Sequence, residues 1–272
     1  MAGVTHVVLI DESGNGRLIA PAQPDPSVRS LWVTAGVSIE WAQRAVLDGS
    51  VKEILDQLFL NRAPELRAAN IRRYLPAQFS ADDVARRVSE AVTAAHANVW
   101  VSAARAASPM YSHPLGKRAE AKDIARQLLL ETISGYAVPR YYAPESWLMI
   151  WDVSYPGQLA DFSRAVATFR NRISGYGAGP ALTPTMLGDL SHEWGGIQVA
   201  DVYANFGLHK LGVERGLEGA KRERADAFER FLLPTLKRDN EGKLVGWKVW
   251  RWSAGKPSSD TAALFPTHSL VL

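Results

Sequence analysis

The sequence predicts an α/β fold in which helices flank a mixed β-sheet. Short apolar runs closed by turn residues alternate along the chain with longer segments of helical periodicity, and this alternation is typical of layered α/β proteins. With 272 residues, 47% of them hydrophobic, the chain can bury a substantial core. We expect one domain overall, with a core over residues 1–215 and a C-terminal helix and short hairpin over residues 216–272 packed on it.

The first half of the chain is expected to contain two strands and two helices. Residues 4–10 form a short apolar run rich in β-branched side chains and closed by a glycine turn, and residues 31–37 form a similar run. Three prolines within residues 21–26 predict a loop between these strands. Helical spacing of apolar residues predicts a helix over residues 39–60 and another after Ser80, whose side chain suits an N-cap.

The second half continues the alternation. Strands are expected over residues 98–104 and 146–153, with a helix over residues 117–136 between them. Two further helices, over residues 197–211 and 220–236, follow from apolar residues that recur on one face. A mixed sheet with helices between its strands therefore accounts for most of the chain.

Composition limits the kinds of site that this chain can form. The chain has no cysteine, which excludes disulfides, thiolate metal sites and a cysteine nucleophile. A net charge of +3 permits an anionic partner without identifying one. No apolar run reaches about 18 residues, and the N-terminus lacks the pattern of a signal peptide. We therefore expect no membrane span and a cytoplasmic location.

Two of the predicted strands end in an acid, Asp11 in one and Asp152 in the other. Because side chains alternate between the faces of a strand, each acid shares a face with the apolar residues two and four positions before it. A buried, unpaired carboxylate is costly, so each acid needs amides, a base or a metal ion as partner. Purely structural roles are the alternatives, since Asp11 can open a turn and Asp152 can cap a helix.

A third acid lies on a predicted helix near the end of the core. Gln198, Asp201 and Asn205 are three and four residues apart, so they form one polar stripe. The rest of this helix is largely apolar, and we expect Asp201 to face a site, although a solvated face is the alternative. Glu65 is a fourth candidate, for which a surface position is the alternative.

Carboxylates from separate elements can hold hard cations such as Mg²⁺ or Mn²⁺. Two such ions about 4 Å apart activate water and stabilise the leaving oxygen of a phosphodiester. The nucleotide-binding patterns GxxxxGK[ST] and GxGxxG are both absent, so no phosphate-binding loop competes with this hypothesis. The hypothesis is that Asp11 is the first ligand of a divalent-metal site that later acids complete.

Four stretches of the chain resemble the ordered motifs of the domain-of-unknown-function 3800 family. They are DESG at residues 11–14, ELR at 65–67, the strand-ending Asp152 and GIQVAD at 196–201, which resemble the family's IDESG, ELK, strand-ending Asp and GIQLAD. The resemblance covers residues 4–212, and Arg67 replaces the usual Lys. It implies a ribonuclease H-like fold with helical insertions and a C-terminal extension, and it implies nuclease activity.

Carried over by position, the resemblance implies a set of site residues. The catalytic residues and ligands of Mg²⁺ or Mn²⁺ would be Asp11, Glu65, Asp152 and Asp201. The supporting residues would be Glu12, Ser13, Arg67 and Gln198. The implied function is hydrolysis of nucleic-acid phosphodiester bonds by two metal ions. The alternatives are a catalytically silent nucleic-acid-binding or defence-associated interaction protein, and a small-molecule phosphodiesterase that uses the same site.

Basic residues are candidates for contact with the phosphates of a nucleic acid. They are Arg72 and Arg73, then Arg170 and Arg172 on the polar face of a predicted helix, then residues 221–224, then Lys248 and Arg251. The last two lie in a tryptophan-rich stretch over residues 247–252, and aromatic and basic residues together suit a single strand. The alternative for this stretch is a hairpin with half of its tryptophans packed inward. The pattern favours neither DNA nor RNA.

Overall fold

A mixed sheet of seven strands lies at the centre of the part of the chain that this computed structural model describes. The described residues are 4–16, 18–20, 23–105, 121–137, 146–152, 185–189, 194–253 and 256–259, with Ala160, Ser163, Val166 and Ala167. The strands are β1 (Val4–Gly14), β2 (Leu18–Ala20), β3 (Gln23–Pro24), β4 (Leu31–Glu40), β5 (Asn98–Arg105), β6 (Ser146–Asp152), β7 (Thr185–Asp189), β8 (Trp247–Ser253) and β9 (Lys256–Ser259). β2 and β3 form a separate antiparallel pair, where the prolines had predicted only a loop.

Helices accompany the sheet, so the predicted α/β class is confirmed. They are α1 (Arg44–Leu58), α2 (Ala68–Tyr74), α3 (Ala81–Ala94), α4 (Ala121–Ala137), α5 (Gly195–Glu214) and α6 (Arg222–Ala227). Within the described ranges, none of the helices has both the length and the apolar character needed to cross a membrane.

The order of the strands brings the two strand-ending acids together. The order is β7-β6-β1-β4-β5-β8-β9, in which β1, β4 and β5 are antiparallel neighbours and β6 runs parallel to β1. Ile10 pairs with Trp151 across β1 and β6, so Asp11 and Asp152 follow at the same edge of the sheet. β7 extends this parallel unit, with Asp152 paired in register with Asp189.

The two faces of β1 contact different helices. Val7 and Leu9 belong to a core cluster that includes Ile197 and Val199 of α5. Val8 and Ile10 belong to a second cluster, with Leu129 and Ile133 of α4. Because side chains alternate along a strand, Asp11 continues the face that packs on α5 and Glu12 continues the face that packs on α4.

A glycine allows α5 to lie close to β1. A Cβ atom on Gly196 would be 2.2 Å from Cδ1 of Leu9, a side chain with no exposed surface. The amide of Gly195 also donates to Asp48 Oδ1 of α1 at 2.9 Å, which holds the first turn of α5. Gly195 and Gly196 therefore place the polar stripe of α5 against β1.

Several element boundaries differ from the sequence prediction. β1 continues three residues past Asp11, because it stays paired with β4. β4 continues to Glu40, because it pairs with β1 as far as His6, and α1 begins at Arg44 instead of residue 39. The helix expected over residues 220–236 is α6 followed by a π turn and a 3₁₀ turn. Pro234 lies in that last turn and cannot donate a helical hydrogen bond.

The C-terminal strands join the main sheet. β8 pairs in parallel with β5, and β9 pairs antiparallel with β8. Trp247 is only 4% exposed and its ring packs on Phe228 with centroids 5.1 Å apart. At this position the tryptophan-rich stretch is therefore packed inward, as its alternative interpretation predicted, and the side chains of Trp250 and Trp252 lie outside the described set.

Candidate active site

Three of the four predicted acids line one cavity of about 300 Å³. They are Asp11 of β1, just past the last residue that β1 pairs with β6, Asp152 at the end of β6 and Asp201 in the second turn of α5. The remaining lining residues are Glu12, Gly14, Trp32, Arg67 and Ala69. Sheet register and the close approach of α5 to β1 thus bring together acids that are far apart in the sequence.

Asp11 lies in an environment that disfavours its charge. The side chain is buried, and burial raises its pKa well above the ordinary value of 3.8. The nearby charges of Asp201 and Asp152 raise the pKa further, while the amide of Glu12 and the guanidinium of Arg67 lower it. Oδ1 of Asp11 accepts the amide hydrogen of Glu12 at 2.6 Å. The carboxylates are therefore close enough to repel one another.

Asp201 is also in an environment that disfavours its charge, but more groups stabilise its ionised form. Burial is the largest cause that raises its pKa to about 6, and the charge of Asp152 adds to the rise. The amide of Ala68 donates to Asp201 Oδ2 at 2.6 Å and lowers the pKa, as do the charges of Arg67 and Arg224. Ionised Asp201 is thus held by groups from α2 and α6 but remains costly.

We expect the metal-free protein to lose stability as the pH rises from about 4 to about 6. The folded-state pKa of Asp201, about 6, exceeds the ordinary value of 3.8, so the folded state binds this proton more tightly than the unfolded state. The resulting stabilisation is complete below about pH 4 and is lost through about pH 6, on the order of 3 kcal/mol in total. Urea unfolding in EDTA across this range measures it, and Asp201→Asn should flatten the curve. Parallel curves for the two proteins would contradict the expectation.

Arg67 bridges two of the predicted metal ligands. Its Nη2 donates to Asp152 Oδ2 at 2.9 Å, and its Nε lies 3.1 Å from Glu65 Oε1. Glu65 does not line the cavity, although Arg67 connects it to Asp152, which does line it. The metal-ligand role of Glu65 stays a prediction, and its structural contact is with the guanidinium.

The polar stripe of α5 contacts the protein interior instead of solvent. Gln198 is buried, and its Oε1 accepts the amide hydrogen of Leu66 at 2.6 Å. Together with the bond from Ala68 to Asp201, this contact holds the ELR segment against α5. Asn205 Nδ2 donates to Ser13 Oγ at 3.2 Å and so ties α5 to β1. Gln198 and Ser13 therefore position backbone around the cavity, and the cavity lining includes neither of them.

Glu12 has a partner that the sequence did not reveal. Arg126 of α4 donates from Nε to Glu12 Oε1 at 2.7 Å and from Nη2 to Oε2 at 2.6 Å. Thr34 Oγ1 donates to Glu12 Oε1 at 3.0 Å. The side chains of Arg126 and Glu12 are 2% and 8% exposed, so this is a buried ion pair at the edge of the cavity. No local pattern in α4 distinguishes Arg126 from an arginine on a solvated face.

Arg224 is a second residue that sequence reasoning did not place. It is 5% exposed, and it donates to the carbonyl oxygen of Ala68 at 3.0 Å and to Asn205 Oδ1 at 2.5 Å. Its charge lowers the pKa of Asp201. The sequence feature that includes Arg224 is the basic stretch at residues 221–224. This stretch predicted contact with phosphate, and did not predict a buried arginine that stabilises the ionised form of Asp201.

The predicted nucleic-acid contacts fall into three groups. Arg72 and Arg73 are exposed on α2, where Arg73 stacks on Tyr74 with its guanidinium carbon 5.1 Å from the ring centroid. Lys248 is half-buried in β8. The remaining three lie beyond what the structure describes, namely Arg170, Arg172 and the side chain of Arg251. All of these contacts stay predictions.

The oxygen donors at the cavity suit a hard divalent cation. Oδ2 of Asp11 and Oδ1 of Asp201 accept no hydrogen bond from any described residue. Carboxylate oxygens are the ligands that Mg²⁺ and Mn²⁺ prefer. Within the described ranges, however, no three or more His, Cys, Asp or Glu side chains form a group that could hold a metal ion. The donor chemistry therefore fits an ion, whereas a complete ligand group is not formed in this conformation.

Comparison with known proteins leaves the site without an assignment. No model of a known protein family matches the chain, and no curated protein is similar to it. The resemblance to the domain-of-unknown-function 3800 family therefore stays an expectation from short motifs, and a functional proposal depends on the cavity and its charges.

Proposed function

We propose that the protein hydrolyses phosphodiester bonds of nucleic acid with the help of Mg²⁺ or Mn²⁺. The observation that carries the proposal is one cavity lined by carboxylates from β1, β6 and α5, two of which have a raised pKa. Such a cluster is costly in the metal-free state, and a divalent cation would relieve its repulsion. Asp11, Asp152 and Asp201 would hold the ions.

The sheet supports the finer proposal of a ribonuclease H-like fold. An antiparallel unit, β1-β4-β5, is extended on the β1 side by the parallel strands β6 and β7. Its acids are Asp11 in β1 and Asp152 at the end of β6, and a third acid comes from a helix packed on β1. This mixed arrangement, with DESG in β1 and GIQVAD in α5, supports the proposal.

The chain's own residues would orient the phosphodiester. In hydrolysis, a water oxygen bonds to phosphorus, the bond from phosphorus to the leaving sugar oxygen breaks, and that oxygen takes up a proton from water. Bound Mg²⁺ or Mn²⁺ would supply activation of the water and charge stabilisation on the leaving oxygen. Arg67, whose side chain is 33% exposed at the cavity, can donate to a non-bridging phosphate oxygen. Gln198 keeps the backbone next to Arg67 in position.

The proposal is tested by cleavage of end-labelled DNA and RNA, single- and double-stranded, with Mg²⁺, Mn²⁺ or EDTA. We expect cleavage with at least one ion and none in EDTA. The ions should also raise the thermal midpoint, because a ligand that binds the folded state stabilises it. Absence of cleavage on every substrate, together with no thermal shift, would reject the proposal.

A second candidate is a catalytically silent nucleic-acid-binding protein. The observation that favours it is Arg67, which already supplies positive charge to Asp152 and Glu65. If that guanidinium takes the place of an ion, nucleic acid should bind in EDTA and neither metal should shift the thermal midpoint. A shift with Mn²⁺ that Asp201→Asn removes would decide for the metal-dependent enzyme.

A further inference from the structure

A second cavity, of about 530 Å³, lies beside the first along α2. Its lining comes from α2, the start of α3 and residues 221–230. Ala69 of α2 lines the acid cavity, and Arg72, one helical turn later, lines the second one. Ligand sites typically have volumes of roughly 300–1,000 Å³, so this cavity has the size of a binding site.

One wall of the second cavity carries an excess of positive charge. Arg72, Lys221 and Arg224 all line it. Burial, followed by the charge of Arg224, lowers the pKa of Lys221, and Arg72 lowers the pKa of both of the others. The side chains of Arg72 and Lys221 form no ion pair in the part of the chain that the structure describes. Cations that repel one another in this way are stabilised by an anion.

The acids around this cavity do not cancel that charge. Asp82 is paired with Arg230, a fourth cation of the lining. Glu223 acts on Lys221 and raises its pKa, but the net direction for Lys221 remains downward. Glu223 and Asp226 are both exposed. The four cations of the lining, Arg72, Lys221, Arg224 and Arg230, outnumber its three carboxylates.

The same cavity also has an apolar part. Ile71, Leu75, Pro76 and Phe79 contribute to its lining, and the ring of Phe79 is half-buried. A planar ring gains affinity when it stacks on an aromatic side chain, whichever base it belongs to. A basic wall beside an apolar wall matches a ligand with one phosphate and one planar, partly apolar ring system.

Arg224 links the two cavities. It lines the second cavity, while its charge acts on Asp201 in the first. The carbonyl oxygen of Ala68 accepts its Nη2, so Arg224 also fixes the start of α2 between them. Residues three apart on a helix have Cβ atoms about 5–6 Å from each other, which is comparable to one or two steps along a nucleic-acid strand. A strand whose phosphodiester lies at the acid cavity would reach the second one.

We propose that the second cavity binds a nucleoside phosphate, with the phosphate on Arg72 and Lys221 and the base against Phe79. The expected origin of this nucleoside phosphate rests on the proposed function. A nucleotide of the substrate strand would occupy the second cavity, next to the reacting phosphodiester. A free nucleotide has the same chemistry and is the other source.

Binding in EDTA tests the site without requiring cleavage. The probe is a fluorescently labelled single strand of about ten nucleotides, measured by anisotropy at several salt concentrations. Arg72→Gln and Lys221→Gln should each weaken binding about tenfold and reduce the slope of log affinity against log salt by about one. Arg62→Gln and Lys52→Gln are matched controls, because they remove the same charge from exposed residues that do not line the cavity. They should change the affinity less than about twofold.

Competition identifies the source of the nucleotide. Displacement of the probe by adenosine 5′-monophosphate, weakened by Arg72→Gln, supports the site and assigns it to free nucleotides as well. Failure of the mononucleotide to compete, with the oligonucleotide still sensitive to Arg72→Gln, supports the site and assigns it to a strand. Phe79→Leu should weaken the nucleotide probes more than it weakens competition by inorganic phosphate.

Two results would overturn the inference. One is equal binding by the Arg72 and Lys221 variants and their controls, and the other is no binding of either probe by the unaltered protein. The outcome is separate from the proposed function. If the protein shows metal-dependent cleavage but the Arg72 and Lys221 variants bind the probe normally, only the inferred nucleotide site is rejected. Binding that the Arg72 and Lys221 variants weaken, without any cleavage, would reject only the proposed enzymatic activity.

Discussion

Asp11→Asn is expected to reduce metal-dependent cleavage more than about a hundredfold and, in EDTA, to raise the free energy of unfolding. Loss of a partner that merely orients a metal ligand costs about 10- to 100-fold, so loss of a ligand should cost more. The raised pKa of Asp11 means that its ionised form destabilises the folded protein at neutral pH. Asparagine keeps an oxygen for the amide of Glu12 but carries no charge. Cleavage rates with Mn²⁺ and urea unfolding in EDTA measure the two effects.

Asp83→Asn is the matched control for this substitution. Asp83 belongs to the capping box of α3, where the amide of Ser80, followed by its hydroxyl, lowers the pKa of the acid. Its ionised form therefore stabilises the folded protein, and the same substitution should slightly reduce stability without changing cleavage. If Asp11→Asn and Asp83→Asn change stability in the same direction, the inference that ionised Asp11 destabilises the folded protein is wrong.

Arg126→Met is expected to lower the free energy of unfolding by about 3–5 kcal/mol. The substitution removes one member of a buried ion pair and leaves the carboxylate of Glu12 without its two guanidinium hydrogen bonds. Arg86→Met is the control, because Arg86 pairs with Glu90 on the exposed face of α3, where both side chains are more than 40% exposed. An exposed pair contributes about 0–1 kcal/mol. Urea unfolding at neutral pH compares the two.

The double variant Glu12→Gln with Arg126→Met should recover part of the loss. Replacing both members of a buried pair by neutral groups is often close to neutral, whereas breaking the pair is not. Equal losses in the Arg126 and Arg86 variants would show that the pair contributes little. Because Glu12 also lines the cavity with Asp11, the single variant should additionally weaken any metal-dependent activity.

Periodicity alone was enough to predict the class of the fold, the strands that carry Asp11 and Asp152 and the helix that carries Asp201. The apolar run before Asp11 and the run before Asp152 are strands that share an edge, and the polar stripe with Asp201 faces inward. These predictions succeed because strand alternation and helical spacing act within a few residues. The ends of elements were predicted less well, since pairing with a distant strand extends β4 and a proline interrupts the helix after α6.

Partners across the fold could not be predicted in this way. Nothing near Glu12 indicates that Arg126 will reach it, because the contact depends on which helix covers the other face of β1. Arg224 in the same way resembled any residue of a basic run, until burial placed it between Asn205 and Ala68. Glu65 was a candidate from a short motif, and its observed contact is with Arg67.

The sequence by itself determined an α/β chain with no thiol chemistry, one acid in each of two core strands and one more on an apolar helix. Local spacing carries this information, because the alternation of side chains is a property of each element. Only the tertiary structure decided that Asp11, Asp152 and Asp201 share one cavity and that Arg72 and Lys221 line a neighbouring one. Those relations depend on sheet register, on the close packing permitted by Gly196 and on the charges that burial brings together.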